Sequence, residues 1–346
     1  MVVRMNCPLP NSRYSAITMA HGGGGTLTET LIRDVFLPAF GQPTPSLLDA
    51  TPFAIGGGRA ALTTDSYVVQ PLFFPGGDIG TLAVCGTVND LLMAGARPIA
   101  LSAGFILEEG LPIETLRRVA ASMRAAAEAA NVRVIAGDTK VVGRGAGDGL
   151  YITTSGVGEI IAPGGGLSPE RIRPGDAILL TGDIGRHGMA VMATRHGLTF
   201  SPPIASDCAP LAAPMLELFT SGPPPHCARD LTRGGLGGAL CELAQSAGLD
   251  FEIEETAIPV EPSVRHACEL LGFDPLFVPN EGCAAIFLPH DQADAALACL
   301  RRHEVSARAA LIGRVGGRGG AVAARTALGT LRRLLAPSGE QLPRIC

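Results

Sequence analysis

Residues 59–107 run strand, capped helix, strand, and that order limits the chain to layered architectures in which helices pack on a sheet. "RAALTTDSYVV" (59–69) is β-branched and ends in an apolar run, which predicts a strand. Asp78 in "GGDIG" is a helix N-cap, and Leu82, Cys85, Val88 and Leu92 follow at helical spacing until Gly95. "RPIALSAGFIL" (97–107) returns to a strand. Asp65 and Asp90 lie inside these apolar segments, where an unpartnered carboxylate is costly.

The alternation continues. "PIETLRRVAASMRAAAEAA" predicts a helix with Leu116, Val119, Met123 and Ala127 along one face. "VRVIAGDTKVV" and "LYITTSGVGEI" predict strands separated by a turn-rich "GRGAGDG". A Gly- and Pro-rich stretch at 162–176 divides the chain. Beyond it strands and helices mix without strict βαβ repetition, so the fold class is α+β. The expected organisation is an N-terminal domain over 1–165, a C-terminal α+β domain over 166–335, and a flexible tail over 336–346, where Pro337, Gly339 and Pro343 prevent regular structure.

Composition excludes several function classes. A net charge of −5, no Trp and 4% aromatic residues argue against a nucleic-acid platform. The most apolar stretch, 81–107, is interrupted by Asn89, Asp90 and Arg97, so no membrane span is expected. The first residues contain no secretory h-region, and the protein is read as cytoplasmic. Nine cysteines without a CxxC pair fit neither a disulfide framework nor a zinc ribbon, and most read as buried apolar groups. Cys346, in "GEQLPRIC", has no such apolar neighbourhood.

Several stretches suit a nucleotide phosphate. Gly22, Gly23, Gly24 and Gly25 precede a helical segment and can turn amides toward phosphate oxygens, although a bare glycine run also reads as a flexible loop. Asp65, Asp90 and Asp138 are oxygen ligands of the kind Mg²⁺ takes; singly, each also reads as a cap or turn residue. In "GDTK", Asp138 and Lys140 share one strand face, flanking Thr139. The lysine can bind phosphate, transfer a proton if its charge is destabilised, or form a surface ion pair. "ARDLTRGG" and "VPNEGCA" set Asp230, Arg233, Asn280 and Glu281 in Gly-flanked turns.

Together, "HGGGG", "FLPAFG", the block at 63–98, "FILEEGLP", "AGDTKVV", "SDCAPL", "DLTRGGL", "NEG" and "EQLPRIC" resemble the HypE family of hydrogenase maturation proteins, within the AIR synthetase (PurM-like) superfamily. The resemblance covers nearly the whole chain. It implies a PurM-like N-terminal domain that forms a homodimer through its sheet, and a C-terminal α+β domain. It implies ATP and Mg²⁺ as cofactors. A HypF-like carbamoyltransferase would load a carbamoyl group on Cys346, the chain would dehydrate it to a thiocyanate, and the HypC–HypD complex would accept the cyanide for a [NiFe]-hydrogenase. Carried onto this sequence, the metal set is Asp65, Asp90 and Asp138, with Asp49 as a fourth ligand in doubt, because "LLDATPF" has one aspartate where family members often have two. Gly22–Gly25, Thr139, Asp230, Arg233 and Asn280 join the aspartates around the nucleotide, and Cys346, Lys140 and Glu281 carry the chemistry. The all-glycine loop and "DLTRGG" in place of "DPTRGG" are minor departures.

The chemistry asks for such a site independently. A nitrile forms from a carboxamide only if the oxygen leaves, and phosphorylation makes it a leaving group while a base removes the N–H protons. Either Lys140 or Glu281 can be that base. A tail of residues 336–346 spans roughly 35 Å at most and holds its cargo at roughly millimolar or higher effective concentration. Two alternatives stand beside this reading: a PurM-like ATP-dependent synthetase or kinase acting on a free small molecule, and a non-catalytic scaffold whose tail only docks a partner.

Overall fold

The computed structural model describes residues 25–31, 33, 49–337, 342, 345 and 346. Helix α1 (Gly25–Leu31) precedes the hairpin of β1 (Thr51–Ile55) and β2 (Gly58–Tyr67), which turns through Gly56 and Gly57 at positive φ. The small hairpin β3 (Phe73–Phe74) and β4 (Gly77–Asp78) leads into α2 (Ile79–Met93), followed by β5 (Ala96–Glu108), α3 (Ile113–Ala129), β6 (Arg133–Val142) and β7 (Leu150–Ile160). These strands form a sheet in the order β1-β2-β7-β5-β6. Only β5 and β6 are parallel, and α3 is the crossover that such a pair requires. On α3, Val119, Met123 and Ala127 are buried as expected, while Leu116 is half-buried.

The second half contains β8 (Ala177–Leu180), α4 (Arg186–Arg195), α5 (Ala212–Thr220), β9 (Cys227–Asp230), α6 (Gly235–Ala247), β10 (Leu249–Glu254), α7 (Pro262–Leu271), β11 (Ala284–Leu288), α8 (Ala293–Leu300), β12 (Ala310–Arg318), β13 (Val322–Arg325) and β14 (Leu331–Leu334). Its sheet runs β14-β13-β10-β12-β8-β11-β9, with β10 and β13 parallel and the other neighbours antiparallel. Strands β9, β13 and β14 span four residues each, too short for alternation to announce them.

Helix α2 joins the halves. Asp78 Oδ1 accepts from the backbone N–H of Gly80 at 2.8 Å and of Thr81 at 2.9 Å, which fixes the first turn. Apart from Thr81 the helix is buried. One side packs on β2, β5 and β7, the other under α5 and β9, so the spacing in the sequence marks only one of two covered faces. Alternate residues of β8 then separate two cores. Ala177 and Leu179 join the apolar cluster of α2, α3, α4, α5 and α8, whereas Ile178 and Leu180 face α6. Leu92→Ala, at the centre of the shared core, would cost about 3 kcal/mol.

The outer face of the first sheet differs. Leu62, Ile106 and Asp138 stand exposed there, opposite the helices. The segment expected as a flexible tail has no helix or strand among its described residues, but it is not free in solvent, because Leu342 and Ile345 are buried.

Candidate functional site

Four carboxylates converge where the first sheet meets the second half. The pleat of β2 turns Thr63, Asp65 and Tyr67 toward α2, whose fourth turn carries Asp90. Asp230 ends β9, and Asp49 lies just ahead of β1. The Thr63 hydroxyl donates to Asp90 Oδ2 at 2.6 Å, and the Tyr67 hydroxyl donates to Asp65 Oδ2 at 3.3 Å. Arg229 holds Asp49 with Nε to Oδ1 at 3.0 Å.

The electrostatics express the crowding. Burial pushes the Asp90 carboxyl well above the usual carboxylate range, and Asp65, Asp230 and Asp49 push it further, against the Thr63 hydroxyl. Burial and the charges of Asp49 and Asp65, opposed by Arg229 and Arg233, bring Asp230 to about 8. Burial also raises Asp49, against Arg229. Arg233 keeps solvent contact; burial works against its charge, but Cys346, then Asp65, Asp230 and Asp90, outweigh it and raise its pKa.

Such a carboxylate set fits a divalent cation. Among the described residues no three His, Cys, Asp or Glu side chains lie close enough to share one ion as placed. Mg²⁺ commonly takes one or two carboxylates and completes its shell with water and phosphate oxygens, so a pair such as Asp65 and Asp90 would be enough to hold it.

Glu281 lies beside the cluster, in the turn before β11. Its N–H donates to Asp207 Oδ2 at 3.2 Å, its carbonyl accepts from Asn89 Nδ2 at 3.3 Å, and the Gly282 N–H donates to Asp207 Oδ2 at 3.0 Å. A Cβ on Gly282 would collide with the Asp207 carbonyl, which accounts for the glycine. The backbone is therefore fixed while the side chain has an unmet valence: Oε1 is buried without a hydrogen-bond partner. Burial, then Asp230, Asp207 and Asp65, push this carboxyl well above the usual range.

The closing segment enters the same cleft. His187 on α4 donates from Nε2 to the carbonyl of Ile345 at 2.9 Å, and the Val68 N–H donates to a main-chain oxygen of Cys346 at 3.2 Å. Cys346 is half-buried, whereas every other described cysteine is buried.

Not every expected residue joins the site. Gly22, Gly23 and Gly24 lie outside the described residues, and Gly25 begins α1. The expected metal ligand Asp138 is not brought to Asp65 and Asp90 within the chain. Strand register aligns it with Gly104, Thr153 and Ser66, so it sits on the face opposite Asp65 and three strands away, about 14 Å at ordinary strand spacing. Asp138 and Lys140 do share a face and pair at 2.8 Å, but in solvent, at 71% and 72% exposure. The burial that a neutral lysine base needs is absent there. Thr139 is exposed on the same edge strand, apart from the cluster. Asn280, expected at the nucleotide, is a staple: Oδ1 accepts from the Gly185 N–H at 2.6 Å, and Nδ2 donates to the carbonyls of Leu231 and Val278. His187, Ser206 and Asp207 were missed, although "SDCAPL" held two of them as an unexplained motif.

The two sheets match two family descriptions, "AIR synthase related protein, N-terminal domain" over residues 48–160 and "AIR synthase related protein, C-terminal domain" over 173–324. They define the class, a two-domain PurM-like α+β protein. The chain is 50% identical over 338 residues to carbamoyl dehydratase HypE of Rhodobacter capsulatus, covering 96% of this chain and 99% of that protein. It superimposes on HypE in a solved HypE–HypF complex with a TM-score of 0.84 at 44% identity, covering 89% of this chain and 99% of the other. A HypE in complex with ATP gives 0.81 at 47% identity, covering 95% and 100%. The chain belongs to the HypE family.

Proposed function

We propose that this protein is an ATP-dependent carbamoyl dehydratase whose substrate is carried on its own Cys346. One observation supports this above the rest. The only described cysteine that is not buried ends a segment seated beside Arg233 and the four-carboxylate cluster. An enzyme of a free small molecule has no use for that thiol, and relatives this similar over the whole chain do not favour that alternative.

The reaction converts S–C(=O)–NH₂ to S–C≡N with net loss of one water, which ends in the hydrolysis of ATP to ADP and phosphate. ATP would supply the phosphoryl group that lets the amide oxygen leave, and Asp65 and Asp90 would hold an Mg²⁺ whose charge offsets that of the phosphates. Arg233 sits where a carbamoylated Cys346 would present its polar end. Glu281 accepts one N–H proton, and the departing phosphate carries the other. Its carboxyl is buried, braced through its backbone by Asp207 and Asn89, and has an oxygen with no other partner. A carboxylate raised in this way takes a proton far more readily than a solvated one. Lys140 lacks every one of these features in the single chain.

HypF loads the carbamoyl group and a HypC–HypD complex takes the cyanide. The chain works as a homodimer through the outer face of the first sheet. Exposed Leu62 and Ile106 on that face support this, and Asp138 and Lys140 would then line the interface. The test is mass spectrometry of the C-terminal peptide after incubation with HypF, carbamoyl phosphate and ATP. A gain of a carbamoyl group, then an ATP-dependent loss of one water, is expected. ATP turnover without that loss would discard the reading.

A further inference from the structure

The closing segment is gripped by its main chain, and one helix supports both sides of the grip. His187 is the second residue of α4 and is fully buried, with its ring edge-on to Phe74 at 5.3 Å. The carbonyl of Ile345 can only accept, so Nε2 carries the hydrogen. Burial lowers the pKa of the ring to about 4, so it is neutral near neutral pH and Nδ1 is an acceptor. Ser206 meets that need: its hydroxyl lies 2.9 Å from Nδ1, while its oxygen accepts from the Cys208 N–H at 3.0 Å. Ser206 therefore completes the tautomer that the Ile345 carbonyl requires and fixes the ring in place.

The next residue of α4 is Gly188, where a Cβ would collide with Val278 at 2.5 Å; Leu342 packs against the same spot at 3.4 Å, an ordinary contact. At the other end of α4, Arg195 donates to the carbonyl of Gln70 at 3.1 and 2.6 Å. That anchors the run leaving β2, in which Val68 receives Cys346. Neither grip touches the sulfur.

We propose that His187, oriented by Ser206, is the latch that seats the closing segment and so positions the loaded Cys346 for dehydration. This rests on the function proposed above and adds to it a positioning residue. His187 does not touch the reacting atoms; it sets how long they stay in place.

The first test is iodoacetamide alkylation of Cys346 in the whole protein, followed by mass spectrometry of the C-terminal peptide. Losing one buried neutral hydrogen bond should free the segment about tenfold more often, so His187→Phe should alkylate about tenfold faster at an unchanged melting temperature. His187→Gln, which can present a nitrogen near the Nε2 position, should return toward wild type. Ser206→Ala should show a smaller increase, about threefold, as the ring loses its second anchor. The second test loads Cys346 with HypF and follows one turnover with ATP. In His187→Phe, loading should be no slower and dehydration about tenfold slower; a merely structural defect would slow both. Wild-type alkylation or dehydration rates in His187→Phe would overturn the latch, as would equal rates in the Phe and Gln variants. Should the Phe variant fail to fold, an unchanged rate in Ser206→Ala overturns it instead. A wild-type protein that never dehydrates defeats the functional reading, while the alkylation rates still decide the latch.

Discussion

Two acidic regions of this chain have similar sequence signatures and opposite environments. Asp65, Asp90, Asp230 and Glu281 are packed between the halves, whereas Asp138 and Lys140 stand in solvent on edge strand β6. In the cleft, burial and like charges raise the Asp90 and Glu281 carboxyls, and Glu281 is left with an unmet bond. On the strand, the carboxylate has its cation beside it, and Lys140 holds Asp138 below the usual range. Residue type alone does not make a catalytic group; desolvation without a partner does.

The contrast can be broken at several points. The largest effect is expected from Glu281→Gln, which keeps the shape and removes the proton acceptor. Dehydration in a single turnover should fall by about 100-fold or more while carbamoylation of Cys346 is unchanged. A near-normal rate would move the base elsewhere, with Lys140 of a second copy the first alternative.

Acid titration of stability separates buried from exposed groups next. The folded His187 value of about 4 lies below the ordinary 6.5, with burial as the main cause. Between those values the unfolded chain holds a proton that the folded chain lacks. Stability from this group is therefore complete above pH 6.5 and lost as pH falls toward 4, by about 3 kcal/mol. Urea melts of His187→Phe should lack that part of the slope, and identical slopes would contradict the buried, neutral ring.

Asp90→Asn comes third. It removes one charge from the crowded set, so the protein without nucleotide should gain about 1 kcal/mol in thermal unfolding, while stabilisation by Mg²⁺ and ATP shrinks. A loss of stability in the free protein would show that the cluster is already neutralised. Lys140→Ala should do least, leaving the melting temperature of the isolated chain unchanged, since its partner stays solvated. A clear drop would place the pair in a covered interface.

The sequence exposed much of this arrangement. Asp65 and Asp90 betray themselves as carboxylates in apolar runs, and Asp78 as a cap that its helix obeys. Asp138 shows the limit. An i,i+2 spacing says that it shares a face with Lys140, but not which face, and strand order decides that. Asn280 fails for another reason: a Gly-flanked turn that staples backbone reads the same as one that binds phosphate. His187 was illegible because its partner Ile345 lies 158 residues away, and no local pattern encodes a contact made by a carbonyl.

The grip on the closing segment has a consequence for traffic. His187 and Val68 grip main-chain oxygens, so this part of the seat does not depend on what the sulfur bears. The same two grips hold the arm whether it is empty or laden. An unladen arm at rest occupies its own berth and must leave it before it can collect a new load.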